Sequence, residues 1–208
     1  MIVTHGLFQR WTDESALFAH VRTLRENVYR SVDQRFTARF ELEGQGFFVK
    51  YHRGLSIGEF LKNIVCLRWP VVGARDEWEA VEHLRRHGVG TMTTAAFGER
   101  GIEPFWQESF LITEELVGCE CLSDLVGDWL TNPPNLKLKR HLIDLVADSV
   151  SGMHRSGLNH RDCYLCHFLW NRETDTLHVI DLHRAQIRDK VPTCLLYTSD
   201  AADDTPCV

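Results

Sequence analysis

Residues 160–169, HRDCYLCHFL, carry enough reactive groups for incompatible chemistries. Cys163, Cys166 and His167 have the C-x-x-C-H spacing of covalent haem attachment. His160-Arg161-Asp162, with a liganding type at His167, has the spacing of a phosphoryl-transfer loop, where a carboxylate receives a hydroxyl proton and a nearby group faces metal or phosphate. Zinc is a third reading. Cys163, Cys166 and His167 with His160, or with Cys119 and Cys121, would supply four soft ligands, although the C-x-C pair is one residue tighter than the common knuckle. Haem attachment needs export to an oxidising compartment, and the start MIVTHGLFQRWTDE lacks a basic residue followed by an apolar run. In the phosphoryl-transfer reading the cysteines are expected to be buried thiols packing as small hydrophobes.

Such a loop needs elements to hold it. Upstream, Leu142, Val146, Val150 and Met153 recur at helical spacing, which predicts an amphipathic helix over 140–153. Ser156-Gly157 should end it, with Gly157 in the left-handed conformation past the last turn. Downstream, 168–170 and 177–180 read as two short strands around the polar turn 171–175. The second strand delivers Asp181 in VIDLHRAQ. Helix, loop, hairpin and Asp in that order would bring a base-like carboxylate and a metal-binding carboxylate together.

A phosphoryl donor also needs cations. Phe36 to Leu42 alternates as a strand, 43–46 is a turn, and Phe47-Phe48-Val49-Lys50 is the next strand. Lys50 near its end is expected to reach phosphate oxygens. From Ala74 to Gly88 the pattern is helical, with Trp78, Val81 and Leu84 as its apolar stripe. Glu77 lies on that stripe's side and Lys50 is its expected partner. Glu79, Glu82 and Arg86 fall on the wet face. Ser109 to Thr113 is an apolar strand running into Glu114, Glu115 and Leu116. That segment suits a hinge whose backbone groups bind adenine, the two Glu side chains being solvated.

With 208 residues, 44% hydrophobic and 25% charged, the chain has the composition of an ordinary globular protein. No apolar run approaches the roughly 18 residues that span a bilayer. A cytoplasmic setting with reduced cysteines is therefore expected. Lys and Arg outnumber Asp and Glu nine to five between His20 and Trp69 but fall to three against twelve between Asp76 and Asp128. That excess is too weak for a nucleic-acid surface, although it suits phosphates in a cleft.

Taken together, ENVYRSV, FFVKYHRG, GARDEWEAVEHL, FLITEEL, NHRDCYLCHFL and VIDLHRAQ resemble the bacterial lipopolysaccharide core heptose(I) kinases, from about Phe8 to Pro192. The resemblance implies an α+β, protein-kinase-like fold of two lobes. These are an N-terminal ATP-binding sheet lobe with one main helix (1–115) and a mostly helical, incomplete catalytic lobe (116–193). It implies transfer of the ATP γ-phosphoryl to a hydroxyl of the first heptose. Asp162 would be the catalytic base, Lys50 would hold the phosphates with Glu77 as its partner, and Asp181 would bind Mg²⁺. His167 occupies the usual metal-binding Asn position. Mg²⁺ accepts imidazole reluctantly, so His167 is expected to ligate weakly or to hydrogen-bond Asp181 or a phosphate instead.

Glycines are missing from the turn expected at 29–35. Arg30 or Arg35 would there supply charge in place of backbone N–H groups, or be a surface residue. Ile57, Phe60, Leu61, Ile64 and Val65 form an apolar stripe that either lies on the inner membrane beside a lipid-linked acceptor or packs on the sheet. Acyl carrier protein is a further partner the resemblance implies. Another kinase of the same fold, acting on a different core sugar or a protein, is the alternative, as is a non-catalytic zinc- or nucleotide-binding module.

Residues 194–208 stand apart. CLLYTSDAADD resembles a translated sequencing adapter and reads as a non-native tail. With the family's later helices missing, the larger lobe is expected to expose apolar surface and the chain to fold poorly or be inactive.

Overall fold

The computed structural model describes residues 1–25, 27–32, 35–54, 73–101 and 106–189. The apolar stripe at 57–65 and the adapter-like run from 194 lie outside them. The described chain forms two compact units, 1–79 with 93–115, and 80–92 with the chain from Leu116 onward. The boundary inside 75–86 falls within one helix. Its residues through Glu79 pack with the first unit, while Ala80, Val81 and Leu84 belong to the core of the second.

In the first unit six antiparallel strands form one sheet. They are β1 (Ile2–Thr4), β2 (Asn27–Val32), β3 (Arg35–Leu42), β4 (Gln45–Arg53), β5 (Thr94–Arg100) and β6 (Glu108–Glu114), ordered β1-β5-β6-β4-β3-β2. β3 and β4 meet through Glu43 and Gly44, both at positive φ (52° and 81°), with Leu42 opposite Gln45. Two central residues at positive φ give the twist that a tight hairpin needs, and Gly44 adopts it without a steric penalty.

Strand alternation divides the side chains between the sheet's faces. Phe36, Ala38, Phe47, Val49, Tyr51, Phe110 and Ile112 form one core with Phe8 and with Leu17, Phe18 and Val21 of helix α1 (Glu14–Thr23). Asp13 caps α1 by accepting from the Ser15 amide at 2.9 Å. Each fully buried Phe there contributes about 1.5–3 kcal/mol. Ala74, Phe97 and Leu111 form a second cluster against Val3 and Trp78. Trp78, on helix α2 (Arg75–Arg86), stacks on Phe97 with ring centroids 4.4 Å apart. That stacking seats the first turns of α2, and with them Glu77.

The second unit holds strand β7 (Cys119–Cys121), short helix α3 (Leu122–Val126), the 20-residue helix α4 (Leu136–Arg155) and strands β8 (Leu158–Asn159), β9 (Phe168–Asn171), β10 (Thr176–Val179) and β11 (Gln186–Ile187). Asn135 caps α4 by accepting from the Leu138 amide at 2.8 Å. Of the expected stripe, Leu142 and Met153 are fully buried, while Val146 and Val150 are partly so. Gly157 ends the helix at φ 84°, and a Cβ there would sit 2.1 Å from the Arg188 carbonyl oxygen. β10-β9-β7 form one small sheet and β11 pairs with β8. Among the described residues no helix is long and apolar enough to cross a membrane.

One expected element takes a different form. The turn placed at 29–35 is mostly strand, because β2 runs through Val32 and β3 resumes at Arg35, with a register shift between Val28 and Arg30. Arg30 thus lies exposed on a strand opposite Thr37, and Arg35 opposite Val32 and His52.

Candidate active site

In the first unit, β4 turns Phe47, Val49 and Tyr51 to the buried core and Phe48, Lys50 and His52 to the other face. Lys50 Nζ donates to Glu77 Oε1 at 2.7 Å. The Glu77 side chain is 2% exposed, and its Oε2 is buried with no hydrogen-bond partner among the described residues. A buried carboxylate is costly unless paired, so the ion pair fixes both groups. An ammonium held this way is a preset point charge for phosphate oxygens.

At the end of β6, the Glu114 amide donates to Thr93 O at 2.9 Å and the Glu115 amide to Gly46 O at 3.0 Å. The expectation that Glu115 is solvated is corrected. Arg39 grips its carboxylate through Nε and Nη2, both at 2.7 Å, and these bonds hold the carboxyl below its ordinary pKa. The backbone comes so close that a Cβ at Gly46 would sit 1.8 Å from Glu115 Oε2. Leu116 opens the second unit, and its amide has no backbone partner among the described residues.

The residues of the His160-Arg161-Asp162 loop, His167 and Asp181 lie within the second unit. His160 is buried, and its Nδ1 accepts the Asp162 amide at 3.2 Å. Nε2 therefore carries the proton and donates to Ile180 O at 3.1 Å. Burial keeps this imidazole below its ordinary pKa and hence neutral. One ring thus ties the backbone of Asp162 to the residue before Asp181. His167 Nδ1 donates to the Asp162 carbonyl at 2.7 Å, and its Nε2 lies 3.6 Å from Asp181 Oδ2. Asp181 sits at φ 59°, a left-handed conformation that Asp tolerates better than most residues. His183 Nδ1 is 3.0 Å from Asp181 Oδ1. The Asp162 carboxylate is engaged by Arg184, whose Nη1 donates to Oδ1 at 2.8 Å.

Zinc has no geometric support here. Among the described residues no three His, Cys, Asp or Glu side chains converge as a ligand cluster. The thiols also differ from expectation: Cys119, Cys121 and Cys166 are only partly buried and Cys163 is exposed. Cys121 Sγ instead donates to Cys166 O at 3.6 Å. A single carboxylate such as Asp181 is the kind of protein ligand Mg²⁺ uses when phosphates and water complete its shell.

Helix, loop, hairpin and Asp181 follow in the order set out from sequence, and residues 19–193 match the lipopolysaccharide kinase (Kdo/WaaP) family. The chain belongs to that family. It is similar to the lipopolysaccharide core heptose(I) kinase WaaP of Escherichia coli, 48% identical over 181 residues that cover 84% of this chain and 68% of that protein. The enzyme of the same name from Pseudomonas aeruginosa is 47% identical over 197 residues, covering 92% and 74%. A solved structure described as WaaP in complex with acyl carrier protein superposes with a TM-score of 0.77 at 41% identity, covering 94% of this chain and 76% of that one. The fold is therefore α+β and kinase-like. As a member of a kinase family the chain is a phosphotransferase that uses ATP. The adapter-like residues from 194 lie outside the matched stretch.

Two features of the candidate site were not read from sequence. His160 entered within the His160-Arg161-Asp162 triplet and as a zinc candidate, but not as a tether between Asp162 and Ile180. Arg184 was not singled out, because its contact depends on strand pairing across residues distant in sequence.

Proposed function

We propose that this chain transfers the γ-phosphoryl group of ATP to a hydroxyl of heptose I in the lipopolysaccharide inner core. Family membership and relatives that carry this name at 47–48% identity support the reaction. The observation that carries the site assignment is the His160 bridge, which locks Asp162 beside the segment leading to Asp181.

Asp162 orients the sugar hydroxyl and accepts its proton late, because phosphoryl transfer passes through a loose transition state with little negative charge on the nucleophile. The hydroxyl oxygen forms a bond to the γ-phosphorus. The bond to the β-phosphate oxygen breaks with its electron pair on ADP. Lys50, set by Glu77, binds phosphate oxygens, and Arg30 or Arg35 adds positive charge. Glu114, Glu115 and Leu116 receive the adenine through backbone groups. Asp181 is the fitting Mg²⁺ ligand, with His167 beside it as a hydrogen-bonding group. The ion, when bound, neutralises charge on the transferring phosphoryl.

The domain reading is an ATP-binding part at 1–115, a catalytic part at 116–193 and a non-native tail at 194–208. Acyl carrier protein is a proposed partner, because the superposed relative is described in complex with it. A lipid-linked acceptor makes peripheral contact with the inner face of the inner membrane part of the same proposal.

The test is phosphate transfer from labelled ATP to heptose-containing core lipopolysaccharide. Transfer should require Mg²⁺ and fall about 10²–10⁴-fold in Asp162→Ala. A folded protein that binds ATP and transfers nothing to that acceptor would show the acceptor to be wrong.

A further inference from the structure

The turn after Asp181 sends its side chains back to the catalytic carboxylates. Ala185 N donates to Leu182 O at 2.9 Å, closing a turn with His183 and Arg184 at its centre and Leu182 fully buried as its anchor. The chain then pairs as β11 with β8, Gln186 opposite Asn159 and Ile187 opposite Leu158. Extending that register by two residues brings Arg184 alongside Arg161 and Asp162. His183 reaches Asp181 and Arg184 reaches Asp162.

The Arg184 bond is selective. Its Nη1 meets only Oδ1 of Asp162, and Oδ2 accepts no hydrogen bond among the described residues. Arg161, the arginine of the triplet, is exposed and bonded to nothing among the described residues, so Arg184 is the guanidinium on Asp162. The Arg184 side chain is 41% exposed and that of Asp162 13%. An ion pair that open on one side adds little to stability. A guanidinium also stays protonated at every working pH, so it does not compete with Asp162 for the hydroxyl proton.

We infer that Arg184 is a positioning residue for phosphoryl transfer. By holding Oδ1 it leaves Oδ2 as the oxygen presented to the acceptor hydroxyl. When the hydroxyl oxygen bonds to the γ-phosphorus and ADP departs with the pair from the broken P–O bond, the proton passes to Oδ2. Without Arg184 the carboxylate rotates, and the hydroxyl loses its fixed acceptor. This rests on the phosphotransferase reading of Asp162.

Wild type, Asp162→Ala, Arg184→Ala and Arg184→Lys are compared by steady-state transfer from ATP to heptose-containing core lipopolysaccharide, alongside thermal melting. Arg184→Ala should lose about 100-fold in kcat, with KM for ATP and the melting temperature unchanged. Arg184→Lys should recover to within about tenfold of wild type, and added methylguanidinium should partly rescue Arg184→Ala. An unchanged kcat in Arg184→Ala overturns the inference. A raised kcat overturns it too, because the arginine would then be a plug, as does a rise confined to the KM for ATP, which would mark a phosphate contact. Wild-type transfer that vanishes in Asp162→Ala upholds the underlying reading whatever Arg184 does. A folded wild type that binds ATP and transfers nothing overturns the inference together with the acceptor reading on which it rests.

Discussion

In Lys50 and Glu77 a buried ion pair coincides with the proposed phosphate contact. Glu77 is almost wholly buried and its carboxylate's only hydrogen bond among the described residues is to Lys50, which is itself partly open. Removing the lysine leaves a buried carboxylate without its cation, a loss of about 3–5 kcal/mol when the group has no other relief. Lys50→Met should therefore lower the melting temperature as well as weaken ATP binding. Lys50→Met combined with Glu77→Leu should recover most of the stability while ATP binding stays weak. Calorimetry and nucleotide titration on the three proteins separate the two effects. A double variant no more stable than Lys50→Met would mean that the pair's burial is not what the lysine relieves. This pair was legible from helical periodicity, since Glu77 falls on the side of Trp78, Val81 and Leu84. Arg184 on Asp162 was not, because both are polar loop residues joined by a two-residue strand pairing.

The sheet of the first unit is tied by a charged hub that strand patterns do not reveal. Glu108, at the start of β6, accepts from Arg22 Nε and Nη2 at 2.6 Å, from Arg100 Nη2 at 2.7 Å and from the Tyr51 hydroxyl. Burial alone would raise its carboxyl pKa, yet the hydrogen bonds from Arg22, Tyr51 and Arg100 prevail and hold it at about 2, against 4.5 ordinarily. A depressed folded-state pKa gives stability that is fully present above pH 4.5 and is lost as pH falls through about 2. The amount is on the order of 3 kcal/mol. Urea midpoints measured from pH 6 down to 2 should fall more steeply in the wild type than in Glu108→Gln. Parallel curves would remove Glu108 from the acid response. Elements with regular alternation, β3, β4 and β6, were readable in advance. β5 was not: it places Ala95, Ala96 and Gly98 where larger side chains would signal a strand, and a Cβ at Gly98 would lie 2.4 Å from the Phe110 ring. The stretch 29–35 reads as a turn because its arginines mask the alternation of an exposed strand.

Across the whole molecule, both units leave large apolar side chains in water, Tyr29 and Trp106 among those of the first, and in the second three lie on or beside one helix. Helix α4 spans 20 residues yet fully buries only Leu142 and Met153. Leu136 is 70% exposed, Ile143 55%, and Leu130, just before the helix, 99%. Single exposed leucines are ordinary, but three on and beside one helix with two fully buried anchors favour association over solvation. The net charge of −6 opposes this only weakly, because screening shortens its reach to about 8 Å at physiological salt. The chain should thus self-associate as salt and concentration rise. Leu130→Ser, Leu136→Glu and Ile143→Lys combined should suppress that association. Glu near the N-terminus of α4 favours the helix dipole and Lys has better helix propensity than Ile, so melting should shift by no more than about 1 kcal/mol. Light scattering across a salt series gives the comparison. If the triple variant associates as the parent does, the contacts lie elsewhere. If it unfolds, those side chains support the packing of α4 despite their exposure. Either result would show whether the apolar surface expected from sequence on this part of the chain governs its behaviour in solution.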